Sequence, residues 1–176
     1  MSEKKKVSPR QSPPADSYFM GRLLIESAIC KDPYVQHAAL IVDGRDRQLG
    51  FGVNHVAKEL YTVAADWDEN NPLRVMTCAE DVAIARARHY LAQVQYDAFV
   101  STTMYVTGPP SLGAMRSCIF AGIKTIIYGA MKSPYFNELQ WDETQKLAKA
   151  HTVSLKAFDG NLNWVRDRLK RFDHLF

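Results

Sequence analysis

Cysteine is scarce in this sequence. Three thiols in 176 residues are few and odd in number, which argues against a disulfide framework and for a reducing compartment. Long apolar runs are missing as well. No window of roughly 18 consecutive apolar residues occurs, so no membrane span and no membrane partner are expected. An excess of one charge is also lacking: 22 Lys and Arg stand against 19 Asp and Glu, a net charge of +3. Residues 1–15 hold Lys4, Lys5, Lys6 and Arg10 against Glu3, so the remaining chain balances at eighteen charges of each sign. A neutral body argues against a nucleic-acid surface. The first 15 residues are rich in Lys, Pro and Ser and contain no apolar stretch. They read as a flexible basic tail rather than a secretory leader. What is present is ample core material, 47% hydrophobic with 23% charged. That composition fits one domain over residues 16–176. The expected location is cytoplasmic, with the tail leaving a nuclear one open.

Pattern and punctuation give the element order. A helix is expected over YFMGRLLIESAI, capped by Asp16 or Ser17 and stopped by Lys31-Asp32-Pro33. Residues 36–42 read as a buried strand that turns at Asp43-Gly44 into a second strand over 47–53. Residues 54–76 read as irregular, with Trp67 in an acidic stretch suited to a lid or a subunit bridge. A strong helix follows Thr77-Cys78-Ala79-Glu80. A strand at 104–107 is broken by Gly108-Pro109-Pro110, and a helix over 111–121 ends at Gly122. Strands over 123–128 and 152–158 flank a helix over 141–150. A last helix places Leu162, Val165, Leu169 and Phe172 on one stripe. Strands alternating with helices predict α/β layers, with a sheet largely parallel after the first hairpin.

Two strand-to-helix junctions, Thr77–Glu80 and Gly108–Ala114, attract a chemical reading. Helix N-termini carry unpaired N–H groups and a positive dipole end, so two of them at one pocket would favour an anion or an electron-rich ring. Along residues 16–158 a string of motifs shares one register. They are the opening YFM helix, Lys31-Asp32-Pro33-x-x-Gln36, Ile41-Val42-Asp43 and Gly52-x-Asn54. Cys78-Ala79-Glu80, Tyr105-Val106-Thr107-x-x-Pro110 and the AGIKTIIY run follow. In these the chain resembles the CMP/dCMP deaminase family, nearest to deoxycytidylate deaminases. The resemblance implies a cytidine-deaminase-like three-layer α/β/α sandwich around a five-stranded mixed sheet. It also implies a pyrimidine nucleotide partner and an oligomer, either of this chain alone or with an active paralogue.

The family's zinc is held by [HC]-x-E and P-C-x-x-C, and the motif Glu shuttles protons. By resemblance the ligand positions are Cys78, Ser111 and Ala114, the proton shuttle is Glu80, and Asn54 contacts the sugar. Ala has no ligand atom and a neutral Ser is a poor zinc ligand. Cys118 lies one turn beyond Ala114, about 6 Å along the axis. Zinc acidifies its water by about 9 pKa units, worth about 12 kcal/mol. A positioned Glu alone supplies roughly 3–5 kcal/mol. Glu80 therefore cannot replace the metal, and the expectation is no zinc cofactor and no ordinary deamination. Other departures agree. The family's Arg-Ser before KDP is Ile29-Cys30, its Val-Gly after the Gln is His37-Ala38, and its Asn after the motif Glu is Val82.

Each candidate also has a plainer reading. Thr77-x-x-Glu80 matches a capping box. Cys78 is either a small buried thiol or an activated nucleophile. Ser111 suits a helix cap. His37, His55 and Cys118 could join Cys78 in a rebuilt metal site, or be structural. Arg86 and Arg88 suit a solvated or interface face. The candidate pocket is His37, Asn54, Cys78, Ala79, Pro110 and Ser111, with Glu80 beside it. The expected function is a pseudoenzyme that binds a nucleotide or acts through subunit contacts. The alternatives are an enzyme using Cys78 and Glu80 without zinc, and a dCMP deaminase with a rebuilt metal site.

Overall fold

The computed structural model describes residues 12–30, 35–56, 76–94, 99, 101–132 and 136–170, with backbone only at Val56 and Leu169. The tail through Gln11, the Lys31–Pro33 stop, the Trp67 stretch and Phe172 lie outside the described residues. Helix α1 spans Ala15–Glu26 and runs into a 3-10 turn at Ser27–Ile29. Strands β1 (Ala38–Val42) and β2 (Gln48–Val53) form the expected hairpin, and the short β3 (His55–Val56) and β4 (Met76–Thr77) pair with each other. Then come α2 (Ala79–Gln93), β5 (Thr103–Val106), α3 (Leu112–Ala121), β6 (Thr125–Tyr128), α4 (Glu138–Ala150), β7 (Ser154–Ala157) and α5 (Asn163–Leu169).

The sheet order is β2-β1-β5-β6-β7, antiparallel through β5 and parallel from β5 to β7. This mixed sheet matches the sequence expectation. β1 is apolar throughout because both its faces are covered. Ala39 and Ile41 join a core with α2, α3 and α4, while Ala38, Leu40 and Val42 join a second core with α1. The two cores make the three-layer sandwich. Fully buried side chains such as Ile41, Met104 and Ile126 each contribute about 1.5–3 kcal/mol.

The seat of α2 fixes the geometry of the site. Ala79, Ala83 and Ala87 have no exposed surface and recur every four residues. They lie directly on Gly50 and Gly52 of β2. A Cβ at Gly52 would overlap the Ala79 carbonyl oxygen, and one at Gly50 would overlap that of Ala83. Small residues on both sides let backbone meet backbone and hold the first turn of α2 at a defined depth.

Local capping differs from expectation in three places. α1 starts at Ala15 with Pro14 as its N-cap and no side-chain cap bond. Proline's restricted φ suits a helix entry. Asp16 is instead inside the helix, where its Oδ1 accepts the Tyr105 hydroxyl at 2.5 Å, and Ser17 is buried beneath Trp164, whose Nε1 donates to the Ser17 carbonyl at 3.1 Å. α4 begins at Glu138, earlier than the expected Trp141, because Asn137 accepts from the amides of Leu139 and Gln140. The third difference concerns α2 and shapes the site.

Candidate ligand pocket at three helix N-termini

A cavity of about 400 Å³ opens where α2, α3 and α4 begin. That volume is in the range of small-molecule sites. The segment before β1 brings Val35 and His37 to the wall, the step between β2 and β3 brings Asn54, and β4 brings Met76. The start of α2 contributes Cys78 and Glu80, and the entry to α3 contributes Pro109 through Gly113. The fourth side is the start of α4, with Phe136, Asn137, Gln140, Trp141 and Thr144.

The structure thus brings together His37, Asn54, Cys78, Glu80, Pro110 and Ser111 of the residues singled out from sequence. Ala79 does not line the cavity. It is fully buried, and its amide donates to Asn54 Oδ1 at 3.1 Å. This bond replaces the expected Thr77–Glu80 capping box. Cys78 is the N-cap of α2, so Glu80 is the second helical residue rather than the third that a box requires. Thr77 pairs with His55 on the short ribbon instead. Ser111 does cap its helix, with Oγ accepting the Ala114 amide at 3.1 Å.

The α4 wall was missed in the sequence reading. Its signal was present, since Asn137 precedes an amphipathic run and Asn is a favoured N-cap. Trp141 lies edge-on to Tyr128 at 5.2 Å between ring centroids and tilted to Phe136 at 6.3 Å. Lys132 places its Nζ 4.7 Å from the Phe136 ring centroid.

At the floor of the cavity one carboxyl is shielded from water and the thiol beside it is half-buried. Glu80 is 3% exposed, and burial drives its carboxyl up from the usual carboxylate range against the opposing pull of His37 and of its own amide. The Cys78 thiol is pushed up to about 12, by burial first and by Glu80 and Asp81 next, although a Ser111 hydrogen bond opposes the shift. A helix N-terminus would ordinarily favour a thiolate, but desolvation outweighs it here. His37 Nε2 is buried without a hydrogen-bond partner among the described residues. A Cβ on Gly108 would come within 2.6 Å of that nitrogen.

The donor set does not fit the zinc that the resemblance implies. Of the three ligand positions, Cys78 carries a thiol, Ser111 carries a hydroxyl committed to the α3 cap, and Ala114 carries a buried methyl. The structure also does not assemble the rebuilt set. His55 is exposed on β3, and Cys118 is buried with its thiol donating to Met104 Sδ at 3.5 Å. No three His, Cys, Asp or Glu among the described residues form a group that could hold a metal ion. Among the described residues no helix is long and apolar enough to cross a membrane.

No family model matches the chain, and no curated protein matches it. Solved structures do. A dCMP deaminase from the cyanophage S-TIM5, in complex with dCMP and dUMP, superposes with a TM-score of 0.64 at 14% identity, over 85% of this chain and 100% of that one. The same phage protein in apo form gives 0.61 at 13% identity, over 84% and 100%. A structure from a study of A-to-I editing by tRNA:A34 deaminases gives 0.54 at 16% identity, over 82% and 100%. These likenesses establish the cytidine-deaminase-like fold.

Proposed function

We propose that this protein is a deoxycytidylate-deaminase-like pseudoenzyme, which keeps the pocket of its fold as a binding site for a pyrimidine-bearing ligand and does not carry out zinc-dependent deamination. The observation that carries this reading is the triplet Cys78, Ser111 and Ala114, which offers one thiol where the chemistry needs three good ligands. The fold around it is intact. The cavity persists, the α2 start is seated by paired Gly and Ala contacts, and Asn54 stands at the wall. Losing the metal removes about 12 kcal/mol of hydroxide availability, which the buried Glu80 does not supply. The phage neighbour is described with dCMP and dUMP bound, which supports a pyrimidine as the ring to try first.

An enzyme acting through Cys78 gains no support from the site, because a thiol held near 12 is a poor nucleophile at neutral pH. The experiment is a paired one. Ammonia release from dCMP is measured on the purified protein with and without added zinc, and melting is followed with cytosine-bearing ligands. The reading expects no turnover and a ligand-dependent rise in Tm. Zinc-dependent turnover of dCMP contradicts it.

A further inference from the structure

We infer that the pocket selects an uncharged nucleoside over the corresponding nucleotide. The inference rests on the binding reading proposed above and narrows its ligand. Helices α2 and α3 begin at the cavity, α4 lines it with the face that carries Asn137, Gln140, Trp141 and Thr144, and exposed N–H groups at helix starts are what normally hold a phosphate. Here each helix start has spent amides on a side chain of its own chain. The Ala79 amide of α2 donates to Asn54 Oδ1 at 3.1 Å. The Ala114 amide of α3 donates to Ser111 Oγ at 3.1 Å. The Leu139 and Gln140 amides of α4 donate to Asn137 Oδ1 at 2.9 and 3.4 Å. Each of these caps occupies part of the amide set at its helix start and so leaves fewer N–H groups for a phosphate.

The caps are also neutral, so none of them supplies charge for an anion to pair with. No Lys or Arg stands among the described residues that line the cavity, and Lys132 beside it has its Nζ over the Phe136 ring at 4.7 Å, whereas the carboxyl of Glu80 is on the lining itself. What the walls do offer suits a flat ring. Phe136 and Trp141 give aromatic surface, and the Gln140 carboxamide gives a donor and an acceptor for a base edge. Recognition of this kind reads the ring and leaves a phosphate unpaired.

The test is calorimetric titration of the full chain with the four deoxynucleosides and their 5′-monophosphates, at low and at physiological salt. The expected result is that at least one nucleoside binds, at least as tightly as its monophosphate, with little change of affinity between the two salt conditions. A monophosphate that binds more tightly than its nucleoside, with affinity falling as salt rises, overturns the inference and leaves the binding reading standing. Absence of binding by all eight compounds overturns the binding reading and the inference together.

Discussion

Putting the two missing thiols back tests the site most sharply. In the double variant Ser111→Cys, Ala114→Cys the α3 cap is lost and a sulfur enters a site that is 1% exposed. Loss of the cap costs about 1 kcal/mol. Overpacking at Ala114 costs about 1–3 kcal/mol. The metal-free variant should therefore be less stable by about 2–4 kcal/mol, which lowers Tm by about 4–16 °C for a domain of this size. The hydrogen bond between Ser111 and Cys78 puts position 111 beside the remaining thiol, and Ala114 follows on the same helix face. Three thiols would then converge. Zinc at about 1,000 times its Kd returns about 4.1 kcal/mol, enough to offset the loss. The assay is thermal melting of both proteins in chelator and in zinc. The double variant should recover its Tm with zinc while the parent chain stays unchanged. A parent chain that rises with zinc, or a double variant indifferent to it, refutes the reasoning.

Three further outcomes follow from single contacts. Gly52→Ala drives a methyl into the Ala79 carbonyl and should lower stability by about 3 kcal/mol in urea unfolding; a loss below 0.5 kcal/mol, within ordinary surface-substitution scatter, would mean α2 does not sit on β2 as described. The Cys78 thiol, pushed up to about 12, should be ionised in only about one molecule in 10⁴ at pH 8, so native-state disulfide-exchange labelling there should be slow. Labelling at the rate of an exposed, unperturbed cysteine would contradict that shift. Burial alone would raise the Asp43 carboxyl, but hydrogen bonds from Arg47 and from the Arg45 amide hold it below the usual range. Its folded form is thus favoured above the unfolded pKa, near 3.9, and that benefit fades as pH falls through the lower folded value. Asp43→Asn should flatten the acid limb of the stability profile below about pH 4; an unchanged limb would show that the Arg47 bonds contribute nothing.

Much of the fold could be read in the sequence because its signals are local. β1 reads as a strand because a run buried on both faces is uniformly apolar, and α2 reads as a helix that starts at the Thr77–Glu80 segment. Gly122 ends α3 at φ +90°, a conformation that glycine adopts without a Cβ penalty. The β3–β4 ribbon left no trace, since two residues per strand show no periodicity. The site was legible where residues act on near neighbours, as with the Ser111 cap. It was not legible at Glu80. The spacing of Thr77 and Glu80 suggests a local box, yet the Ala79 amide is bound by Asn54, 25 residues earlier in the chain. Only the seating of α2 on β2 reveals that partner. The α4 wall escaped for a related reason, because its helix starts at Glu138 and the sequence reading began it at Trp141.

The central claim is that the three family ligand positions no longer hold zinc. Its most direct test is the zinc content per chain of the purified, tag-free protein, measured by mass spectrometry after exposure to zinc and desalting. The account predicts a content near zero. About one tightly held zinc per chain would contradict it.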